Sequence, residues 1–332
     1  MESSMFKSLS LNLIVILGVC FQMGNASSIS QNRIDKIAEQ LLKKDEIINQ
    51  KLPEYTVDGE WTYRDKVNWL SGFLGGELWN LYEITKKDKL KNKALEHADR
   101  LLPFSNIDYT HDMGFIFYPT CVRAYNFTGK AKYRKAALQA AEMLSKRFNS
   151  RGEFIRAWGK LGSEKKAGWM IIDTMMNLDL LFWAAKEMHN PEYYDIAYKH
   201  ALTTMDQAIR QNGSSYHVIE FNPKNGKVNK KRTHQGYADE STWARGQAWG
   251  IYGFAKAYQH TKDIRFLKTA KKMAAYFINS LPKDYIPYWD LDLSGDDVLR
   301  DASAGAVAAS GLFILAENEK LKSKEQKYNK MA

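Results

Sequence analysis

Two aspartates, Asp112 and Asp173, stand 61 residues apart, each just inside the start of a largely apolar helical run. Asp173 lies between Ile171-Ile172 and Met175-Met176, a setting in which an unpartnered carboxylate is costly and needs a reason to be present. There the ionised form is disfavoured, and a second carboxylate close by raises the proton affinity of one of the two further. Such a pair keeps one acid protonated near neutral pH while its partner stays charged, as general acid and base catalysis requires. Asn177, one turn after Asp173, shares its helical face and can orient the carboxyl group. His111, immediately before Asp112, reads equally as a helix cap or as a ligand contact.

The same helix-start position is polar throughout the chain, carrying Ser71, Asp112, Asp173, Arg245 and Asp301. The competing reading makes each aspartate a first-turn or N-cap residue favoured by the helix dipole. It suits Asp301 best and Asp173 least. Aromatic residues gather in the same segments: Trp61, Trp69, Trp158, Trp169, Trp243, Trp249 and Tyr237, with Trp79 and Trp183 reading as core. Flat rings at a cleft stack on the apolar faces of sugar rings, while Arg245, His217 and Gln235 supply donors for a carboxylate or hydroxyl groups. His217 and His234 are 17 residues apart with no third ligand at zinc-like spacing. The chain also lacks a phosphate-binding glycine motif and a nucleophile elbow. Neither a metal nor a cofactor is expected.

These residues need elements to position them. Beyond residue 30 almost every segment reads as helix, and four stretches, from Trp69, His111, Ile171 and Trp243, repeat one plan. A helix apolar nearly all round passes through a short polar link (TKKDK, FTGK, MHNPE, HTKD) into an amphipathic return helix. In the second return helix Tyr133, Ala136, Ala137, Ala140, Ala141, Leu144 and Phe148 fall at helical spacing. Stacked side by side, such hairpins make an all-α fold, an α/α toroid with the first helices inside and the returns outside. Residues 31–51 add a leading amphipathic helix, and a fifth inner helix begins near Asp301, with a short outer one from about Leu321. A six-hairpin ring needs one more inner helix, so the expectation is a toroid truncated at its C-terminus. The long links 149–170 and 212–242 carry Gly, Asn, Trp and His together, and the second holds a hairpin signal around Asn222-Pro223-Lys224-Asn225-Gly226.

Composition limits the alternatives. With 45% apolar residues and 13% aromatics the chain can build a core, which excludes disordered and collagen-like classes. The net charge of +10 is scattered over polar helix faces instead of forming a stripe, which favours an anionic ligand in general and not nucleic acid. The first 26 residues read as a secretory signal: Lys7, an apolar stretch from Leu9 to Phe21, then small residues before cleavage at Ala26. Cys20 sits in an imperfect lipidation box, and cleavage is preferred to lipid anchoring. The expected organisation is a leader over 1–26 and a single domain over 27–332, in a periplasmic or secreted protein. Cys121, in an apolar helical run, reads as a small core residue.

At HDMGF (111–115), IIDTMMNLDLLFWA (171–184), HQGYADESTWARGQAWGIYG (234–253) and RDASAGAVAASGL (300–312), the chain resembles the unsaturated glucuronyl hydrolases, glycoside hydrolase family 88. The related unsaturated rhamnogalacturonyl hydrolases match the Trp243-Ala-Arg-Gly-Gln stretch less well, and a non-catalytic oligosaccharide-binding toroid is a further alternative. The resemblance implies an (α/α)6 barrel, and a substrate bearing a 4,5-unsaturated uronic acid at its non-reducing end, as polysaccharide lyases leave on glycosaminoglycans. It implies that Asp173 protonates C4 of the vinyl ether and then takes a proton from water adding at C5, with Asp112 as the second essential aspartate. It further implies that Trp158, His217, Gln235, Arg245 and Trp249 line the subsite for the unsaturated uronate. Family members continue through a further helix and a loop that reads the neighbouring sugar.

Overall fold

The computed structural model describes residues 31–49, 51–319 and 322–332; the expected leader and Cys20 lie outside them. The chain clusters into two compact units, one of residues 31–107 and 112–143, the other of 108–111 and 144–332. Among the described residues no helix is long and apolar enough to cross a membrane.

The first unit opens with α1 (Gln31–Ile48), which buries Ala38, Leu41 and Ile48 at helical spacing. The next segment departs from the helical expectation, because Leu52–Val57 (β1) and Glu60–Arg64 (β2) form an antiparallel hairpin. Its turn is Asp58-Gly59, both at positive φ (49° and 88°). That is the tight-turn chemistry which matches the twist of two strands, so the signal was present in the sequence. Helices α2 (Phe73–Thr85) and α3 (Asp88–Leu101) make the first helical hairpin. Gly72, just before α2, is required by close approach: a Cβ there would lie 2.2 Å from the Phe115 carbonyl oxygen.

The second hairpin begins with α4 (Met113–Phe117), continues through a π turn over Tyr118–Val122 into α5 (Arg123–Thr128), and returns as α6 (Ala131–Ser145). The sequence suggested one uninterrupted inner helix. Pro119 has no N–H to give the carbonyl four residues back, so the ladder widens locally instead of breaking. In α6 the predicted stripe of Tyr133, Ala136, Ala137, Ala140, Ala141 and Leu144 is buried. Cys121 is fully buried in this unit and burial pushes its thiol up to about 12. A thiol reagent at neutral pH is therefore expected to leave Cys121 unlabelled in the native protein and to label it on unfolding, measured by mass spectrometry.

The second unit contains a short hairpin, β3 (Phe148–Asn149) with β4 (Phe154–Ile155), and a three-stranded antiparallel sheet of β5 (Trp169–Ile171), β6 (Val218–Phe221) and β7 (Val228–Arg232) in that order. The β6–β7 turn is the predicted Asn-Pro-Lys-Asn-Gly segment. Helices α7 (Leu178–Met188) and α8 (Pro191–Ala208) form one hairpin, and α9 (Ala244–Thr261) and α10 (Ile264–Asn279) another, followed by α11 (Ala302–Glu317) and α12 (Lys322–Met331). The four polar links share a mechanism: Lys86, Gly129, His189 and Lys262 each end a helix in the left-handed region, which turns the chain and satisfies a terminal carbonyl. Asn190 and Asp263 then cap the next helix through their side chains.

Candidate active site

The second unit assembles most of the residues singled out above. Asp173 is the second residue of a 3-10 turn, Ile172–Asn177, that leads from β5 into α7. Its flanks Ile171, Ile172, Thr174 and Met175 are buried, and its own side chain is 15% exposed. That opening admits a ligand to the carboxylate while its surroundings stay apolar. Asn177 is fully buried one turn on. Strand β6 is preceded by His217, whose Nε2 lies 3.6 Å from Asp173 Oδ2. His217 Nδ1 accepts the backbone N–H groups of His234 and Gln235, each at 3.3 Å. An acceptor nitrogen carries no proton, so in the neutral ring the proton sits on Nε2 and faces the carboxylate.

Burial, with His234 and Arg245 nearby, holds His217 down to about 3. His200, fully buried and accepting the Ile155 N–H at 2.9 Å, is likewise held at about 3 by burial. Both rings are neutral in the folded protein, whereas in the unfolded chain they titrate near 6.5. Below about pH 6.5 the unfolded state binds the extra protons, so stability is lost as pH falls toward 3, by up to about 1.4 kcal/mol per pH unit for each histidine. Urea midpoints should fall across that window, and variants carrying glutamine at both positions should show a shallower decline.

Aromatic rings enclose the imidazole. Trp243 stacks on it with centroids 4.5 Å apart, and Trp158 meets it edge-on at 6.5 Å. Half-buried Trp158 also packs against Trp169 at 5.8 Å and His234 at 5.1 Å. The Arg245 guanidinium lies 4.8 Å over Trp243. Its Nη1 donates to Asp301, and to Ser303 Oγ at 3.2 Å, leaving the donors on Nε and Nη2 for a ligand. Asp301 therefore serves twice: Oδ1 caps α11, as expected, by accepting the Ala304 N–H at 3.1 Å, and Oδ2 anchors the arginine, which the sequence does not signal. Asp173, His217, Trp243, Arg245 and Asp301 thus form one connected series.

Other placements differ from expectation. Trp243 and Trp249 are 4% and 3% exposed and pack within the protein, not as open platforms. Tyr237 is 65% exposed, and Gln235 is exposed on the same loop. Trp183, read as core, is half-buried, while Trp79 is fully buried. His111 is buried, its Nδ1 2.9 Å from Thr174 Oγ1, and its backbone N–H is bonded to Ala157. It is the last residue of the segment 108–111 that belongs to this unit. Asp112, the next residue, opens α4 in the first unit; it occupies the N-cap position but makes no capping bond through its side chain. The side-chain capping bond of the competing reading is therefore not made at Asp112. Thr174, Ser303 and Asp290, a buried carboxylate of the 280–301 segment, join the site without having been expected there. No motif signals them, since the partners that bring them to the site, His111 for Thr174, Arg245 for Ser303, and Tyr237 and Ser241 for Asp290, lie far along the chain.

A helical-hairpin protein that sets a carboxylate against a neutral imidazole, between indole rings and an anchored arginine, has the equipment of a carbohydrate-active hydrolase. The chain belongs to Glycosyl Hydrolase Family 88, whose model matches residues 34–292. It is 40% identical over 291 residues to the unsaturated chondroitin disaccharide hydrolase of Streptococcus pneumoniae strain R6, covering 86% of this chain and 73% of that one. The crystal structure of the unsaturated glucuronyl hydrolase from Bacillus sp. GL1, responsible for degradation of glycosaminoglycan, superposes with a TM-score of 0.84 at 33% identity over 90% of this chain and 81% of that one. An aspartate-to-asparagine variant of the Streptococcus agalactiae enzyme, complexed with dGlcA-GalNAc6S, gives 0.75 at 32% identity over 92% and 79%. The fold class is accordingly the all-α toroid expected from the helical hairpins, and the protein is a glycoside hydrolase of the unsaturated glucuronyl kind.

Proposed function

We propose that this chain releases 4,5-unsaturated uronic acid from the non-reducing end of lyase-generated glycosaminoglycan oligosaccharides by hydrating the C4–C5 double bond, with Asp173 as acid and base. The observation that carries this assignment is Asp173 itself: slightly open to solvent, in an apolar turn, facing the Nε2–H of a histidine that burial keeps neutral. The double bond is a vinyl ether. Protonation at C4 by the Asp173 carboxylic acid places positive charge at C5, shared with the ring oxygen, and leaves a carboxylate. His217 Nε2–H then stabilises that carboxylate without adding a positive charge that would oppose the oxocarbenium. Water adds at C5 as Asp173 takes back a proton, and the hemiketal opens, expelling the remaining sugar. The protein's carboxylates thus act on an alkene, outside the logic of paired-carboxylate displacement at an anomeric carbon.

Asp112 is assigned to holding the water and the unsaturated ring, with His111 and Asn177 as supports. What favours this is the family resemblance, the missing capping bond at Asp112, and its place directly after His111, whose ring is bonded to the neighbour of Asp173. Arg245, with its free donors, is assigned to the uronate carboxylate, and Trp158 and Gln235 to the sugar, while Trp249, 3% exposed, keeps only the subsite place that the resemblance implies. Residues 1–26 are assigned as a leader for export to the periplasm or medium, which N-terminal sequencing of the mature protein tests. The activity is tested by the loss of ultraviolet absorbance of the conjugated double bond in unsaturated chondroitin or hyaluronan disaccharides. Loss confined to unsaturated galacturonyl-rhamnose, or binding with no loss at all, would overturn the assignment.

A further inference from the structure

Asp290 is completely buried, and among the described residues it has no ion-pair partner. Its charge is satisfied by hydrogen bonds instead: Oδ2 accepts the Tyr237 N–H at 2.8 Å and the Ser241 hydroxyl at 2.7 Å, and Oδ1 accepts the Asp292 N–H at 3.2 Å. Two of these donors belong to one loop, residues 233–241, and hydrogen bonds to a charged acceptor are the strong ones. The loop is drawn tightly onto the carboxylate. A Cβ at Gly236 would come within 3.0 Å of Asp290 Oδ2 and 2.6 Å of Thr233 Oγ1, so a larger residue there would push these side chains aside. The residues just before Gly236 are His234 and Gln235, whose N–H groups occupy Nδ1 of His217.

We infer that Asp290 is a positioning residue for the reaction: by tying down the 236–241 turn it keeps two backbone donors on His217 Nδ1, and so fixes the imidazole as the tautomer whose Nε2–H faces Asp173. A buried charge is an expensive way to secure a loop, and its use fits a loop whose two N–H groups must stay in register with one ring nitrogen. The kinetic consequence rests on Asp173 being the acid, whereas the tautomer can be read without any activity.

The test uses the full chain labelled with nitrogen-15 at histidine, with the His217 signals identified by loss in a His217→Gln sample. In the wild-type protein Nδ1 should be unprotonated and Nε2 protonated. Asp290→Ala should place a proton on Nδ1 in part of the population and lower kcat about ten- to hundredfold. Asp290→Asn, whose amide oxygen can take the place of Oδ2, should restore the wild-type tautomer. Asp292→Ala is the control: Asp292 accepts the Thr242 N–H at 2.7 Å, so its loss removes a comparable bond without touching the His217 donors, and should leave the nitrogen signals unchanged. Unaltered signals in Asp290→Ala, or an equal change in Asp292→Ala, would overturn the inference. If Asp290→Ala does not fold, Ser241→Ala removes one of the same bonds and should shift the tautomer in the same direction; no shift overturns it equally. A changed tautomer alongside an active Asp173→Asn enzyme would refute the acid assignment and leave the positioning role standing.

Discussion

Asp173→Asn should lower kcat by about three orders of magnitude while leaving the Kd for the unsaturated disaccharide within a few-fold of wild type. The amide keeps the size and one acceptor of the carboxyl group but can neither deliver a proton to C4 nor recover one from water. Because Asp173 is held in an apolar turn with a neutral imidazole 3.6 Å away, replacing its carboxyl group by an amide should cost no stability, and a small gain is expected, since catalytic groups are often placed against the interest of the fold. Stopped assays for kcat, calorimetry for Kd and thermal unfolding separate the three quantities. Residual turnover above a tenth of wild type would remove Asp173 from its role. The matching change in folding behaviour matters as much, because a variant that lost activity by unfolding would show the opposite sign in the melt.

Arg245→Met should have the next largest effect, and on two observables at once. Asp301 is 6% exposed and Arg245 17% at the side chain; removing the arginine leaves a buried carboxylate uncompensated, which costs about 3 kcal/mol or more. It should also raise KM by one to two orders of magnitude, as expected for losing a charge-assisted bond to the uronate carboxylate, about 2 kcal/mol. The double variant Arg245→Met/Asp301→Asn divides the two. Asparagine still caps α11 and carries no charge, so stability should largely recover while KM stays high. Recovery of KM together with stability would show that the arginine serves the fold and not the ligand.

Both expectations depend on contacts whose legibility differs. Helix–turn–helix repeats could be read directly, because the apolar period, the left-handed link residues and the N-caps are all local: Lys86, Gly129, His189 and Lys262 end their helices where the links were placed. The β6–β7 turn was legible for the same reason. The β1–β2 hairpin is equally local, its Asp58-Gly59 turn standing inside a stretch whose flanks are helical. The π turn at Pro119 follows from a missing N–H, yet whether a proline breaks, kinks or widens a helix depends on what packs around it.

The sequence by itself determined the all-α class and the hairpin repeat, since each rests on residue type and spacing within a few turns of chain, whereas the proposal of Asp173 as the acid rests on the resemblance carried by its flanking motif. Only tertiary structure decided which nitrogen of His217 carries its proton, that Arg245 is anchored by Asp301, and that Trp243 and Trp249 are packed away instead of standing open. The physical reason is range. Periodicity, caps and turns are set by neighbours in sequence, whereas a tautomer, an ion pair between residues 245 and 301, or the burial of an indole depends on partners that only the folded chain brings together.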